Sequence, residues 1–204
     1  MMTYTGERVI PKLMNPMNML LLEHIARYQF SLPYARTGKV LDMACGSGFG
    51  THFLAKKAKH LVDQVVGIDV DPKAIQYAKG IYYHPKAVYQ QQDAADPLLP
   101  QILGQFDLIL SFETIEHIEN EQQFMKNIYD MLKPGGQLIL STPFGKGRGI
   151  PCGSPFHVHQ VTKEEFCSMF DRFVHTEFYY QNGVLIEPER KNRYYPIGLS
   201  VCTK

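Results

Sequence analysis

The sequence predicts an α/β fold, namely a doubly wound, seven-stranded, mostly parallel sheet that finishes with an antiparallel C-terminal strand. From residue 39 onward, short apolar runs alternate with helical segments, which is the order typical of a parallel sheet with helices on both faces. Residues 173–179 and 197–202 instead alternate apolar and polar side chains, as half-buried antiparallel strands do. Acidic or polar residues end several of the parallel strands, and ligands of such sheets bind at these carboxyl ends.

The N-terminal residues 1–14 predict an arm, and the next helix is predicted to begin at Asn15-Pro16 and to reach about Phe30. Asparagine is a good helix cap, and proline fits the first turn. Parallel strands are then predicted near 39–43, 65–69, 87–91, 106–111 and 137–142, with helices near 49–60, 72–80 and 119–132 between them. A loop containing residues 187–191 is predicted to join the two C-terminal strands.

Composition limits the classes of protein to consider. The 204 residues fit one domain, and a net charge of +1 disfavours binding to nucleic acid or to an anionic membrane. The four cysteines form no C-x-x-C pair, which favours free thiols, and the apolar run 17–22 is too short for a signal peptide or a membrane span. We therefore expect a cytoplasmic protein, monomeric or homodimeric, that acts on a small molecule.

The most informative segment is residues 40–50, an apolar strand followed by closely spaced glycines. Such a turn lets backbone N–H groups approach a ligand. Asp69 ends the next strand, 23 positions beyond Gly46, where an acidic residue can accept hydrogen bonds from a ribose diol. Thr51 replaces the third glycine of a dinucleotide fingerprint, and Asp42 would repel a pyrophosphate. The pattern predicts a cationic nucleoside rather than NAD.

These segments, across roughly residues 38–145, resemble the class I S-adenosylmethionine-dependent methyltransferases, closest to those of small-molecule and glycan metabolism. The resemblance implies S-adenosylmethionine as the cofactor. It also implies a Rossmann-like methyltransferase fold, with residues 1–37 as a lid, 38–145 as the cofactor-binding core and 146–204 as the substrate loop and terminal strands. The implied cofactor-binding residues are Asp42, Ala44, Gly46 and Gly48 toward the methionine end, Asp69 and Val70 toward the ribose, Asp93 and Ala94 toward the adenine, and Ser111 and Phe112 after the fourth strand.

The N-terminal arm carries a second resemblance. Its Thr-Gly-Glu-Arg segment, residues 5–8, is similar to one found in methyltransferases of sugar and glycan biosynthesis, and residues 23–28 agree with the helix that follows it there. The resemblance implies that the arm closes over the donor, with Tyr4 and Arg8 reaching its carboxylate or the acceptor. The alternative is a disordered terminus.

A hydroxyl acceptor must lose a proton during methyl transfer, so a general base is expected near the donor methyl. His117 follows the fourth strand, and if that segment is helical, Glu113 lies four residues earlier on the same face and can orient the imidazole. Some O-methyltransferases of this family carry a histidine base in this region. The alternative is a structural histidine that packs the turn.

Two further histidines, His157 and His159, follow the fifth strand, where this family places substrate-binding segments. They lie on one side of the chain if it is extended there, so either is a candidate contact to the acceptor. Together with Cys152 they could form a metal cluster, but the spacing is not that of a structural zinc site, and no metal is predicted. Packing within the loop is the alternative.

We therefore predict a methyltransferase that acts on a small molecule, at a hydroxyl of a sugar, a glycoside or another secondary metabolite. Methylation of an amine or a carboxylate on the same scaffold stays open. So does a nucleoside-binding protein without catalysis, because fold analogy does not select the acceptor.

Overall fold

A computed structural model describes residues 8–36 and 38–204. Its elements are α1 (Met19–Ser31), β1 (Gly38–Met43), α2 (Phe49–Lys57), β2 (Val62–Asp69), α3 (Pro72–Ile81), β3 (Ala87–Gln91), α4 (Leu99–Leu103), β4 (Phe106–Phe112), α5 (Glu121–Met131), β5 (Leu132–Pro143), α6 (Lys163–Ser168), β6 (His175–Asn182), β7 (Leu185–Glu187) and β8 (Ile197–Thr203). Short 3-10 turns lie at Pro11–Leu13, Leu32–Tyr34 and Ile115–His117.

The strands form one sheet in the order β3-β2-β1-β4-β5-β8-β6-β7. The first five strands are parallel, and β8 pairs antiparallel with both β5 and β6. The predicted doubly wound, mostly parallel sheet is therefore confirmed. The order reverses between β1 and β4, which is where sheets of this type open a ligand crevice.

The sheet has eight strands in the described residues rather than the predicted seven. The additional strand, β7, pairs with β6 through a two-residue turn, and Asn182 lies opposite Leu185. Gly183 begins this turn at φ 59°, a conformation that glycine adopts at no steric cost. Residue Glu187 was predicted to belong to the loop that joins the two C-terminal strands. It instead ends β7.

Apolar side chains cover both faces of the sheet. The neighbouring β1 residues Val40 and Leu41 are both buried, but they belong to different clusters. Val40 packs with Tyr28 of α1 and Leu54 of α2, whereas Leu41 packs with Phe124 of α5. Because successive strand side chains point to opposite faces, this central strand is apolar at adjacent positions and not only at alternate ones.

The beginning of α1 differs from the prediction. The helix begins at Met19, and the side chain of Asn18 caps it by accepting a hydrogen bond from the Leu21 N–H at 3.2 Å. Asn15 instead accepts from the Met17 N–H at 2.9 Å, which holds a separate turn around Pro16. Two asparagines three residues apart offer equivalent caps, so composition alone does not choose between them.

The segment after β4 does not form the helix on which the proposed orientation of His117 by Glu113 depended. Glu113 has φ 49°, and its N–H donates to the Ser141 carbonyl at 3.1 Å. Only Ile115–His117 then forms a 3-10 turn. The prediction that Glu113 and His117 share one helical face is therefore wrong.

Among the described residues, no helix is both long and apolar enough to cross a membrane.

Candidate functional site

A cleft of about 890 Å³ lies beside the loops that follow β1, β2, β3 and β4, with α1 along it. Several segments that the sequence indicated as cofactor-binding or catalytic border this cleft. From the strand ends and loops its lining includes Ala44, Gly46, Asp69, Asp93, Phe112, Glu116, His117 and His157, and from the N-terminal region it includes Arg8, Leu20, His24 and Tyr28.

Backbone amides hold the Asp69 carboxylate in place at the end of β2. Its Oδ2 accepts from the Gly46 N–H and its Oδ1 from the Asp71 N–H, each at 2.9 Å. A carboxylate has about four lone-pair sites, so each oxygen can accept a second hydrogen bond. Asp69 is only 7% exposed, yet it lines the cleft, which leaves an orientated acceptor for a pair of ligand hydroxyl groups.

The loop after β1 turns by means of left-handed backbone conformations. Ala44 and Gly46 have φ 54° and 55°, and the Cys45 N–H donates to the Ile68 carbonyl at 2.8 Å. No heavy atom lies within 4 Å of the position that a Cβ of Gly46 would occupy. The backbone at Gly46 is thus open toward the cleft, as close approach to a ligand requires.

Asp42 lies beneath this loop and does not line the cleft. It is 1% exposed, and it accepts hydrogen bonds from the Tyr28 hydroxyl at 3.0 Å and from Thr51 Oγ1 at 2.6 Å. Burial raises the pKa of Asp42 to about 6, although both hydrogen bonds act to lower it. The expectation that Asp42 points its charge at the cofactor is therefore corrected, since its oxygens face Tyr28 and Thr51.

One face of α1 forms a wall of the cleft. The wall includes Leu20, His24 and Tyr28. Each is four residues from the next, so the three side chains lie on the same face of the helix. Burial and the nearby Arg27 lower the pKa of His24 well below its ordinary value. The imidazole of His24 is therefore neutral at neutral pH.

A buried polar network attaches α1 to the loop after β4. Arg27 has no exposed surface, and its Nη1 lies 3.2 Å from both Glu113 Oε1 and Gln181 Oε1. Glu113 Oε1 also accepts from Ser141 Oγ at 2.7 Å. The contacts of Glu113 are therefore with Arg27 and Ser141, and they position α1 rather than the imidazole of His117.

Glu116, His117 and His157 come together in the cleft. Each offers one ligand atom within 4.8 Å of the others, and the two imidazole rings meet edge to face with centroids 4.9 Å apart. His117 Nδ1 lies 2.9 Å from the Phe156 carbonyl oxygen. A carbonyl only accepts hydrogen bonds, so Nδ1 carries the proton and Nε2 of the neutral ring has the lone pair.

Glu116 differs from the two histidines because its carboxyl group is buried, with 1% exposure. Thr142 Oγ1 donates to its Oε2 at 3.1 Å. Burial raises the pKa of Glu116 well above its ordinary value, and the nearby Glu113 raises it further. The carboxyl of Glu116 thus favours either a proton or a bound cation.

Comparison with known proteins decides the family. Residues 41–140 match the family model described as a methyltransferase domain. The chain contains a class I S-adenosylmethionine-dependent methyltransferase domain. It is 31% identical over 172 residues to a probable S-adenosylmethionine-dependent methyltransferase of Mycobacterium tuberculosis (strain CDC 1551 / Oshkosh), covering 82% of this chain and 59% of that protein. For this domain, the predicted family and its cofactor, S-adenosylmethionine, are confirmed.

Other similarities cover less of the sequence or are more distant. The methyltransferase domain is 32% identical over 110 residues to a ubiquinone biosynthesis O-methyltransferase of Pseudomonas aeruginosa (strain UCBPP-PA14), covering 51% of this chain and 44% of that protein. A solved structure of the N-methyltransferase NodS from Bradyrhizobium japonicum with S-adenosyl-L-homocysteine superposes with a TM-score of 0.65 at 20% identity, covering 93% of this chain and 88% of that one. The chain thus spans about three-fifths or less of the length of these curated relatives, and the structural likeness concerns the fold.

Most residues predicted to form the site of the methyltransferase domain do line its cleft. They are Arg8, Ala44, Gly46, Asp69, Val70, Asp93, Ala94, Phe112, Glu113, His117 and His157. Asp42, Gly48, Ser111 and His159 are not among the lining residues, and Tyr4 lies outside the described residues.

The residues that do not line the cleft have other surroundings. Gly48 packs so closely that a Cβ there would lie 2.5 Å from the Cβ of Ala78. Ser111 is fully buried within β4. His159 Nε2 lies 3.3 Å from Glu121 Oε2, so the expectation that His157 and His159 face one site is corrected.

Sequence reasoning missed several residues of the cleft, among them His24, Tyr28 and Glu116. The first two share the four-residue spacing of a helix face, and that spacing was the available signal. Glu116 adjoins His117, but its burial depends on the 3-10 turn that the sequence did not predict. Arg8 is in the cleft as predicted, and its Nη1 forms an ion pair with Asp71 Oδ2 at 2.6 Å.

Proposed function

We propose that the protein transfers the methyl group of S-adenosylmethionine to a hydroxyl group of a small molecule, such as a sugar, a glycoside or another secondary metabolite. The observation that carries this proposal is the composition of one cleft. It contains the Asp69 carboxylate, fixed by two backbone amides, and also His117, whose Nε2 has the free lone pair. A donor site and a proton acceptor in one cleft are what transfer to oxygen requires.

In this reaction the acceptor oxygen forms a bond to the methyl carbon while the carbon–sulfur bond breaks. The electron pair of that bond stays on sulfur, so the sulfonium becomes a neutral thioether, and the hydroxyl proton moves to His117 Nε2. The hydrogen bond from Nδ1 to the Phe156 carbonyl stabilises the imidazolium that results, because Nδ1–H stays a donor. His157, whose ring meets that of His117, is assigned to positioning the acceptor.

On the donor side, Asp69 is assigned to the ribose hydroxyls and the open backbone at Gly46 to the methionine part. The helix α1 and the arm before it are assigned to a lid, since Leu20, His24 and Tyr28 already form one wall of the cleft. Arg8 approaches the same cleft from its ion pair with Asp71. The lid keeps water from the sulfonium and strengthens the electrostatic contacts within the cleft.

Two further facts favour oxygen and a small acceptor. One relative in the comparison is named an O-methyltransferase, and the net charge of +1 gives no field that attracts a polyanion. Incubation with an isotopically labelled methyl donor tests the proposal. The acceptors are sugars and glycosides, matched amines and carboxylates, and extracts of cells, with products identified by mass spectrometry. We expect the label on a hydroxyl oxygen, as a methyl ether. Label on nitrogen or carboxylate, or a bound donor without transfer, contradicts the proposal.

A further inference from the structure

Glu113 has an unusual backbone conformation and no role in the proton transfer to His117. Its φ is 49°, in the left-handed region that residues other than glycine rarely adopt, and such conformations occur preferentially at functional sites. The Glu113 N–H donates to the Ser141 carbonyl at 3.1 Å, and Ser141 Oγ donates to Glu113 Oε1 at 2.7 Å. Ser141 of β5 thus fixes both the backbone and the side chain of Glu113.

The second carboxylate oxygen of Glu113 is open to a ligand. Oε1 also forms the ion pair with the fully buried Arg27, at 3.2 Å, so both of its lone-pair directions are used. Within the part of the chain that the structure describes, Oε2 has no hydrogen-bond partner, and Glu113 lines the cleft. A carboxylate that is anchored through one oxygen and open at the other is suited to bind a cationic group.

The position of Glu113 in the sheet indicates which part of the donor it meets. The end of β1 pairs with β2 on one side and with β4 on the other. Asp69 and Glu113 therefore leave the sheet on opposite sides of the loop after β1, whose backbone is open at Gly46. A donor with its ribose at Asp69 and its methionine part at Gly46 has its amino-acid end toward β4.

The other acidic groups near the cleft are less suited to that end of the donor. Asp42 lies beneath the loop, and Asp93 follows β3, which pairs with the far side of β2. Glu116 is buried, whereas Glu119 is exposed and follows the 3-10 turn. Among the described residues, Glu113 is thus the anchored carboxylate beside the loop after β1.

We propose that Glu113 binds the α-ammonium group of S-adenosylmethionine through Oε2. This inference rests on the proposed function, which assigns the ribose to Asp69 and the methionine part to Gly46, and His117 keeps its role as the base. Because Arg27 of α1 holds the other carboxylate oxygen, the same side chain connects the proposed lid to the amino-acid end of the donor.

Calorimetry with two ligands tests the contact on the full chain, without an acceptor. S-adenosylhomocysteine keeps the α-ammonium but has no sulfonium, and its desamino analogue lacks the ammonium as well. Glu113→Gln should weaken binding of S-adenosylhomocysteine by at least about tenfold, because a charge-assisted hydrogen bond is lost, and should leave binding of the desamino analogue nearly unchanged. Glu177→Gln is the matched control, since Glu177 is exposed on β6 and does not line the cleft, and it should bind both ligands as the parent protein does.

Glu113→Gln also leaves the buried Arg27 without its anionic partner, which is costly for the fold. A double variant that combines Arg27→Met with Glu113→Gln removes both charges, and binding of the desamino analogue reports that its cleft is folded. We expect the same selective loss of S-adenosylhomocysteine binding. Equal losses for the two ligands, or no loss for S-adenosylhomocysteine, would overturn the inference.

Two further outcomes separate this contact from the rest of the account. An unchanged affinity for S-adenosylhomocysteine with a raised acceptor KM in Glu113→Gln would assign the carboxylate to the acceptor and overturn the inference. The selective loss in Glu113→Gln, without methyl transfer to any hydroxyl by the parent protein, would support the contact and contradict the proposed function alone, because these affinities are measured without turnover.

Discussion

The hydroxyl of Tyr28 donates a hydrogen bond to the carboxylate of Asp42, 3.0 Å away, within a fully enclosed contact between α1 and β1. The donor-binding loop begins one residue after β1, and α1 forms a wall of the cleft. This single hydrogen bond therefore connects the proposed lid to the base of the donor site.

Removing the Tyr28 hydroxyl tests that connection. Tyr28→Phe should lower the free energy of unfolding by about 1.5–3 kcal/mol, because a buried acceptor that carries charge loses a donor. Denaturant unfolding measures the change. Tyr83→Phe is the control, since Tyr83 is 79% exposed, and equal stability of the two variants would mean that the Tyr28–Asp42 contact contributes nothing.

The raised pKa of Asp42 predicts a pH dependence of stability. The pKa is about 6 in the folded chain against an ordinary value of 3.8, chiefly because of burial. The folded protein therefore holds this proton more tightly, and its free energy of unfolding should fall by about 3 kcal/mol as the pH rises from about 4 to about 6. Subtracting the profile of Asp42→Asn isolates this contribution from that of other acids. A difference that stays flat across this window contradicts the assignment.

Gly50 is predicted to be irreplaceable for a packing reason. A Cβ there would lie 1.8 Å from Cζ of Tyr28, so Gly50→Ala must displace the ring that reaches Asp42. We expect a loss of at least about 2 kcal/mol of stability. Gly80→Ala in α3 meets no atom within 4 Å, and it should be neutral or stabilising by up to about 1 kcal/mol. Similar melting temperatures for the two variants would refute the prediction.

Asp69 is predicted to control affinity for the donor. Asp69→Ala removes an acceptor that would serve two ribose hydroxyls, and it should weaken S-adenosylmethionine binding by tenfold or more, at about 1.4 kcal/mol per decade. Calorimetry measures the affinity. Asp63→Ala, at an exposed position in the same strand, should bind as the parent protein does. An unchanged Kd for Asp69→Ala would exclude this residue from the ribose site.

The sequence predicted the parallel sheet and the strand-end residues well, because strand periodicity and glycine turns are local signals. Asp69 could be identified as a candidate ligand-binding residue simply because it ends an apolar run. The position of Asp42 could not be predicted in this way, since its contact with Tyr28 joins separate elements. The neighbours of His117 depend on the left-handed φ of Glu113 and on hydrogen bonds to β5. Neither feature produces a periodic pattern of residues in the sequence.

The most direct test of the account compares kcat for His117→Ala and His159→Ala, using the acceptor found with the labelled donor. His117 lines the cleft, whereas His159 lies against Glu121. We expect His117→Ala to lower kcat by about 10² to 10⁴ with an unchanged Kd for S-adenosylmethionine, and His159→Ala to keep the parent kcat. Full turnover by His117→Ala, together with its loss in His159→Ala, would contradict the central claim that the acceptor reacts beside His117.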